Sequence, residues 1–459
     1  MFAKEIYLQR RAELAQKMKN SGLVLLPGHT ESPINYAGNA YRFRQNSNFI
    51  YYFGLQLPDL AGIIDTDTGE ATLFGDDFTT EDVIWMGPQP SVRELAASVG
   101  VTKTAPTADL AKTIAAALQS GRTIHTLAPS RAETKILQDR IAPGVEPSES
   151  LIRAVVSMRD KKSPEEIAAI EEACAIGYEM HTTAMRMCRP GVSEREIAGA
   201  IEGIALQKGW GTSFHPIVSQ HGETLHNHSH DGILSEGRML LVDAGAEATS
   251  GYASDFTRTI PVGGRFTSRQ KDIYDIVLAA NNHAFEISGP GVRYVDVHIA
   301  ASRVLVEGLH SLGLVRGSVD GAVESGTHSL FMPHGLGHQM GLDVHDMEDL
   351  GERFVGYDDE TPRSTHPSCS RCRMGRRLQP GMVVTVEPGI YFVPDLVAKW
   401  RAEGGPAAGF VDFDRVESYL DFGGIRLEDD MLVTPSGNRM LGTRIPITTD
   451  EVSLMVSDK

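Results

Sequence analysis

Over the first 150 residues, helix-period stretches alternate with short runs of branched apolar residues: GLVLL at 22–26, AGIIDTD at 61–67 and ATLFGD at 71–76. Such runs, bounded by turn residues, predict the strands of a sheet covered by helices, here a three-layer α/β domain. The opening MFAKEIYLQRRAELAQKMKN is charged throughout and lacks an apolar middle, so it predicts a helix rather than a signal peptide. The pattern changes at SMRDKKSPEEIAAIEEA. There Ser163 is placed to cap a helix, Pro164 falls at its first position and Glu166 completes a capping box. The expected division is therefore 1–157 and 158–459.

Beyond the boundary one syntax occurs twice. A helix over about 164–188 ends at Pro190, Gly191 and Val192, and a second over about 268–288 ends at Pro290, Gly291 and Val292, each followed by a further helix and then strands. The repetition predicts an internally duplicated α/β (α+β) domain with a cleft between its halves.

Composition narrows the partners. No run of about 18 apolar residues is present to span a membrane. A net charge of -17 opposes binding to phosphate backbones and anionic lipid, so neither nucleic acid nor membrane is expected as a partner. Four cysteines in 459 residues do not make a disulfide framework and suit a cytoplasmic location. Cys369 and Cys372 form a C-x-x-C, but a structural zinc site needs two further ligands, and Cys174 and Cys188 lie far off in a predicted helix. The pair is left without a role.

The candidate chemistry lies on five segments. In RMLLVDAG an apolar strand runs into Asp243, and YASDFTRTIPV, carrying Asp255, returns as a hairpin partner. MVVTVEPG is a buried-type strand ending at Glu387, and GGIRLEDDMLV puts Arg426 and Glu428 on one face if it is a strand. Singly, each acid reads as a turn residue or a cap. Together, acids on strongly apolar strands call for a counter-charge, because burying them uncompensated costs several kcal/mol or about that. The fifth segment, FMPHGLGHQMGLDVHDM at 331–347, supplies His334, His338 and His345. Four carboxylates and one histidine make a mostly oxygen shell for two divalent ions, which suits Mn²⁺ and tolerates Zn²⁺, Co²⁺ or Fe²⁺. Two such ions share a bridging hydroxide, which is the equipment of a hydrolase.

VDAG, SDFTRT, PHGLGH, TVEPG and GIRLED, in this order, resemble the five metal-ligand motifs of the pita-bread metallopeptidases, in the branch of prolidase (Xaa-Pro dipeptidase) and aminopeptidase P. The stretch YRFRQNSNFIYYFG at 41–54 resembles the signature of that branch's N-terminal domain, so the likeness covers nearly the whole chain. It implies an aminopeptidase P/prolidase-type domain over 1–157 and a pita-bread (creatinase/aminopeptidase-like) catalytic domain over 158–459. Asp243, Asp255, His338, Glu387 and Glu428 are then the metal ligands, with Glu387 also handling the proton of the attacking hydroxide. His226, in TLHNHSH, His334 and His345 become catalytic histidines that steady the substrate. Arg373 is the implied reader of a substrate carboxylate, and Arg426 is expected to contact substrate or orient a ligand.

The neighbouring Arg371, Arg376 and Arg377 are expected to be solvated, as are His228 and His230, while His298 and His310 read as packing or surface residues. The implied substrates are Xaa-Pro dipeptides or peptides with proline second, cleaved before the proline, and a homodimer is implied. The forty-one residues between Glu387 and Glu428 resemble the longer interval of prolidases. That favours a dipeptidase over an Xaa-Pro aminopeptidase, with a metal-free creatinase-like enzyme or a non-catalytic binding protein behind both. One departure is Phe214, where prolidases often carry a tyrosine.

Overall fold

Ser163 opens the longest helix, Pro164–Met187: its hydroxyl caps the Glu166 amide, the Glu166 carboxylate returns to the Ser163 amide, and Pro164 occupies the first turn. The second half repeats the device 104 residues later, with Thr267 and Gln270 capping Ser268–Ile287. These elements belong to a computed structural model that describes residues 2–457. Contacts divide the chain into two units. One runs to Arg159 and takes in Glu348–Phe354; the other holds Asp160–Met347 and continues from Val355.

The first unit is built on a five-stranded mixed sheet in the order Lys103–Ala105, Ala71–Phe74, Ala61–Asp65, Leu23–Pro27, Ile124–His125. The central pairs are antiparallel and both edge strands join parallel. Apolar residues such as Leu25, Ile63 and Phe74 bury one face against the helix Leu110–Gln119, through Ile114.

In the second unit the duplication is visible atom by atom. Gly191 and Gly291 take φ of 88° and 85°, a left-handed turn open to glycine, after the two long helices. The Gly191 amide donates to Leu234 O and the Leu234 amide to Val192 O, both at 2.8 Å. Gly291, Leu378 and Val292 form the same pair of bonds at 2.8 Å. Each half then delivers a buried strand, Met239–Asp243 in the first and Val383–Val386 in the second. Met239–Asp243 pairs antiparallel with Thr257–Pro261 and with Ile217–Ser219; Val383–Val386 pairs antiparallel with Asp429–Thr434.

Two local expectations change. GGIRLEDDMLV is not one strand: Gly424–Arg426 pairs with Gly389–Tyr391, whereas Asp429–Thr434 joins the other sheet, so Leu427 and Glu428 form the crossing. Asp255 sits two residues ahead of its strand, while Asp243 pairs with Thr257.

Candidate metal centre

Asp255, His338 and Glu428 converge, each offering one ligand atom, with all three atoms within 4.8 Å of one another. All three are buried. His338 is set by its backbone: its amide donates to Thr385 Oγ1 at 3.1 Å, and the Thr385 amide donates to His338 O at 2.9 Å. Gly337 makes this approach possible, since a Cβ there would stand 2.0 Å from Thr385 O. The ring is oriented as well. Nδ1 faces Gln339 O at 3.0 Å, and a carbonyl only accepts, so Nδ1 carries the hydrogen. Nε2 is left as a lone pair aimed at Asp255 Oδ2, 3.5 Å away, and at Glu387 Oε1, 3.8 Å away.

A second network runs beside this cluster. Arg426 donates through Nη2 to Asp243 Oδ2, through Nε to Thr257 Oγ1 at 3.1 Å, and through Nη1 to the Tyr391 hydroxyl at 2.8 Å. Thr257 in turn donates to Glu428 Oε2 at 2.7 Å. Tyr391 meets His334 Nε2 at 3.0 Å, and His334 Nδ1 faces Gly335 O at 2.7 Å. The same carbonyl argument puts the hydrogen of His334 on Nδ1, so Tyr391 donates to Nε2. Thus Asp243, Arg426, Tyr391 and His334 form one hydrogen-bonded line, and Thr257 links it to Glu428.

The electrostatics are those of acids crowded without enough positive charge. Burial, then the charges of Asp243, Asp430 and Glu387, pushes the Asp255 carboxyl well above the usual carboxylate range. Glu428 is raised in the same way, by burial and then by Asp255. Glu387 is raised by burial, against the pull of His338 and Arg426. Burial and the Arg426 charge push the His334 imidazole down to about 3, so it is neutral at neutral pH. Asp255 Oδ1 is buried without a hydrogen-bond donor. A divalent cation among these oxygens would satisfy that atom and offset the repulsion, so the donor set fits the implied metal.

The remaining candidates lie around this core. Asp243 is not in the tight triad and is held by Arg426. The His345 ring stacks on His338 with centroids 3.6 Å apart. His226 is exposed, within electrostatic reach of Arg426, Asp243 and His345, and burial on one side with the Arg426 charge pulls its ring below the ordinary imidazole range. Arg373 is exposed, and its charge reaches Glu387. Phe214 is half-buried. Arg376, expected in solvent, is instead mostly buried and paired with buried Asp160, because the loop folds back on the start of this unit. Arg377 pairs with Glu360 at the surface, and His298 is buried where His310 is exposed.

Tyr391 and Thr257 were not singled out by the sequence. A signal existed for Thr257, which opens its strand two residues after Asp255. Tyr391 lies two residues after Gly389, the last residue of the TVEPG motif.

Three comparisons bear on this arrangement. The sequence profile of metallopeptidase family M24 matches residues 168–435, and that of the aminopeptidase P N-terminal domain matches residues 7–125. The chain is 33% identical to the probable Xaa-Pro aminopeptidase pepP of Aspergillus fumigatus, over 98% of this chain and 96% of that protein. It is 31% identical to the Xaa-Pro dipeptidase of Homo sapiens, over 97% of this chain and 92% of that one. Its fold superposes on a variant of Escherichia coli aminopeptidase P in complex with substrate with a TM-score of 0.83, at 29% identity, covering 99% of this chain and 98% of the other.

Proposed function

The chain belongs to metallopeptidase family M24, with an aminopeptidase P-type N-terminal domain and a pita-bread catalytic domain, and from that premise we propose that it is an Xaa-Pro dipeptidase. It is a metallo-exopeptidase whose relatives are Xaa-Pro aminopeptidases and a prolidase. The observation that carries the hydrolytic reading is the convergence of Asp255, His338 and Glu428, with an orphaned carboxylate oxygen among them.

Asp243, Asp255, His338, Glu387 and Glu428 would hold two divalent ions, and the oxygen-rich set favours Mn²⁺. When bound, such ions supply a nucleophilic water at neutral pH and polarise the scissile carbonyl. The side chains do the rest. Glu387 takes the proton of the attacking water. Arg426 holds the Asp243 carboxylate in a fixed direction through its rigid fork. His226 and His345 steady the substrate carbonyl as charge develops on it. His334, neutral and bonded to Tyr391, orients the hydroxyl that buttresses Arg426.

The dipeptidase preference rests on Arg373, a fork for a free C-terminal carboxylate whose charge reaches Glu387, and on the prolidase-like interval from Glu387 to Glu428. That interval holds the helices Pro394–Glu403 and Phe413–Glu417. A cytoplasmic homodimer belongs to the same proposal, and the four unbridged cysteines suit a reducing compartment. The aminopeptidase reading is kept because the Aspergillus and Escherichia coli relatives carry that name. Mn²⁺-loaded protein assayed on an Xaa-Pro dipeptide and an Xaa-Pro-Yaa tripeptide decides between them: equal or faster tripeptide turnover rejects the dipeptidase.

A further inference from the structure

Cys369 and Cys372 take no part in the chemistry above, yet they sit in a built environment. From His366 the chain is tightened by three backbone bonds: Cys369 N to His366 O at 2.9 Å, Ser370 N to His366 O at 2.8 Å and Cys372 N to Cys369 O at 3.0 Å. The last closes a turn whose first and fourth residues are the two cysteines. Such a turn keeps its end Cα atoms within about 7 Å, and a disulfide spans about 4.4–6.8 Å, so the bond is reached by a small closing movement of the turn. Across it each thiol shifts the other's titration, Cys369 downward and Cys372 upward.

The pair is asymmetric in the way a reactive dithiol requires. Cys369 is half-buried, while Cys372 is buried. The Cys372 thiol, then Ser368 with its hydroxyl 3.4 Å from Cys369 Sγ, and then His366 hold the Cys369 thiol below the ordinary thiol range, which favours its thiolate. The hydrogen bond to Cys369, with burial, pushes Cys372 up. By contrast, Cys174 and Cys188 are buried and their thiols are raised by that burial, which leaves them inert.

The dithiol also touches the segment that carries His334. A Cβ built on Gly335 would stand 2.9 Å from Cys372 Cα, so the two backbones are in direct contact. Arg371, between the cysteines, donates through Nη1 to Pro333 O at 3.1 Å. His334 and Cys372 line one small cavity together with His298 and Ser368.

We propose that Cys369 and Cys372 are a peroxide-reactive dithiol whose disulfide form slows the enzyme by displacing the Pro333–Gly335 backbone that holds His334. The Cys369 thiolate attacks one oxygen of a peroxide; an S–O bond forms, the O–O bond breaks, and the second oxygen leaves as hydroxide or alkoxide and takes a proton. The Cys372 sulfur then gives up its proton and attacks the sulfenic sulfur, forming S–S and releasing water. Two thiols are oxidised and one peroxide is reduced. A dithiol reductant reverses the change.

The test uses the full-length, metal-loaded chain, reduced and then treated with a small excess of hydrogen peroxide. Two of the four thiols should disappear, and the peptide carrying Cys369 and Cys372 should become lighter by about two mass units. Turnover of a proline peptide should fall by about tenfold and return with dithiothreitol. Cys369→Ser, or Cys372→Ser if that variant does not fold, should match the reduced protein and not respond. Persistence of both thiols, oxidation past sulfenic acid without a disulfide, or an equal loss of turnover in the serine variant overturns the proposal. So does a stoichiometric zinc released when the pair is alkylated. Thiol count and peptide mass do not depend on turnover, so a chain inactive on proline peptides would refute the enzymatic reading while these masses still decided the dithiol.

Discussion

The imidazole of His345 lies flat against that of His338, with centroids 3.6 Å and planes 14° apart. His338 is thereby fixed from two sides, by the stack and by its Nδ1 bond to Gln339 O. Its Nε2 is left facing Asp255 and Glu387. His338→Ala is expected to lose metal and activity together. His345→Ala should keep its metal and lose turnover by about 10–100-fold, the usual effect of removing a group that orients a ligand. Metal per chain by elemental analysis, read beside turnover, checks this. Complete metal loss in His345→Ala would show that it is itself a ligand.

A pH dependence follows from the crowded acids. In the metal-free chain Asp255 and Glu428 bind protons more tightly folded than unfolded, because burial and their neighbours raise them. Their protonation therefore stabilises the fold at low pH, and that contribution drains away as pH rises above the unfolded carboxylate values toward the folded ones. Metal-free protein should lose thermal stability from about pH 4 upward, relative to metal-loaded protein at each pH. Asp255→Asn removes one buried charge, so its metal-free form should gain about 1–3 kcal/mol over metal-free wild type near neutral pH. It should also show no stabilisation by Mn²⁺. Denaturant melts with and without chelator measure both. A metal-free wild type insensitive to pH would mean that these carboxyls are not crowded in solution.

What was legible in the sequence was local or carried on strand ends. The box Ser163–Glu166 spans four residues, so spacing alone predicts it. The Pro-Gly-Val repeats were legible because a left-handed glycine after a helix leaves a local signature. What was not legible came from tertiary packing. Arg426 meets Tyr391 and Thr257, which lie 35 and 169 positions away, so no window shows the network that supports the acids. Arg376 looked solvated because its partner, Asp160, lies 216 residues earlier. The break of GGIRLEDDMLV into two strands was hidden for a related reason: only its two different partner strands divide it.

Thr257 tests that network directly. Its hydroxyl accepts from Arg426 Nε and donates to Glu428 Oε2, so Thr257→Val keeps the shape and strands both partners in a buried site. A buried group left unpaired costs about 1–3 kcal/mol, which corresponds here to roughly a tenfold or greater loss in kcat/KM if Glu428 drifts. Thr257→Ser should restore most of it. Equal loss in the serine variant would assign the effect to packing of the methyl group instead.

Arg373 carries the choice between dipeptide and longer substrate. In a dipeptide the free carboxylate belongs to the proline itself, next to the scissile bond. A third residue moves it outward by one residue, about 3.5 Å. A guanidinium fixed for the first position cannot make the same two-pronged bond at the second. Arg373→Leu should therefore lower kcat/KM on Xaa-Pro by about 10–100-fold and much less on Xaa-Pro-Yaa, and Arg373→Lys should recover only part of the loss, since an ammonium has no fork. The same charge lowers the Glu387 carboxyl, so its removal should shift the acid limb of the kcat profile to higher pH, with both substrates alike. Loss of the dipeptide preference together with that limb shift separates carboxylate reading from a general effect on Glu387. The limb shift without any change in substrate preference would show that Arg373 acts only on Glu387, and would return the choice of substrate to the aminopeptidase reading.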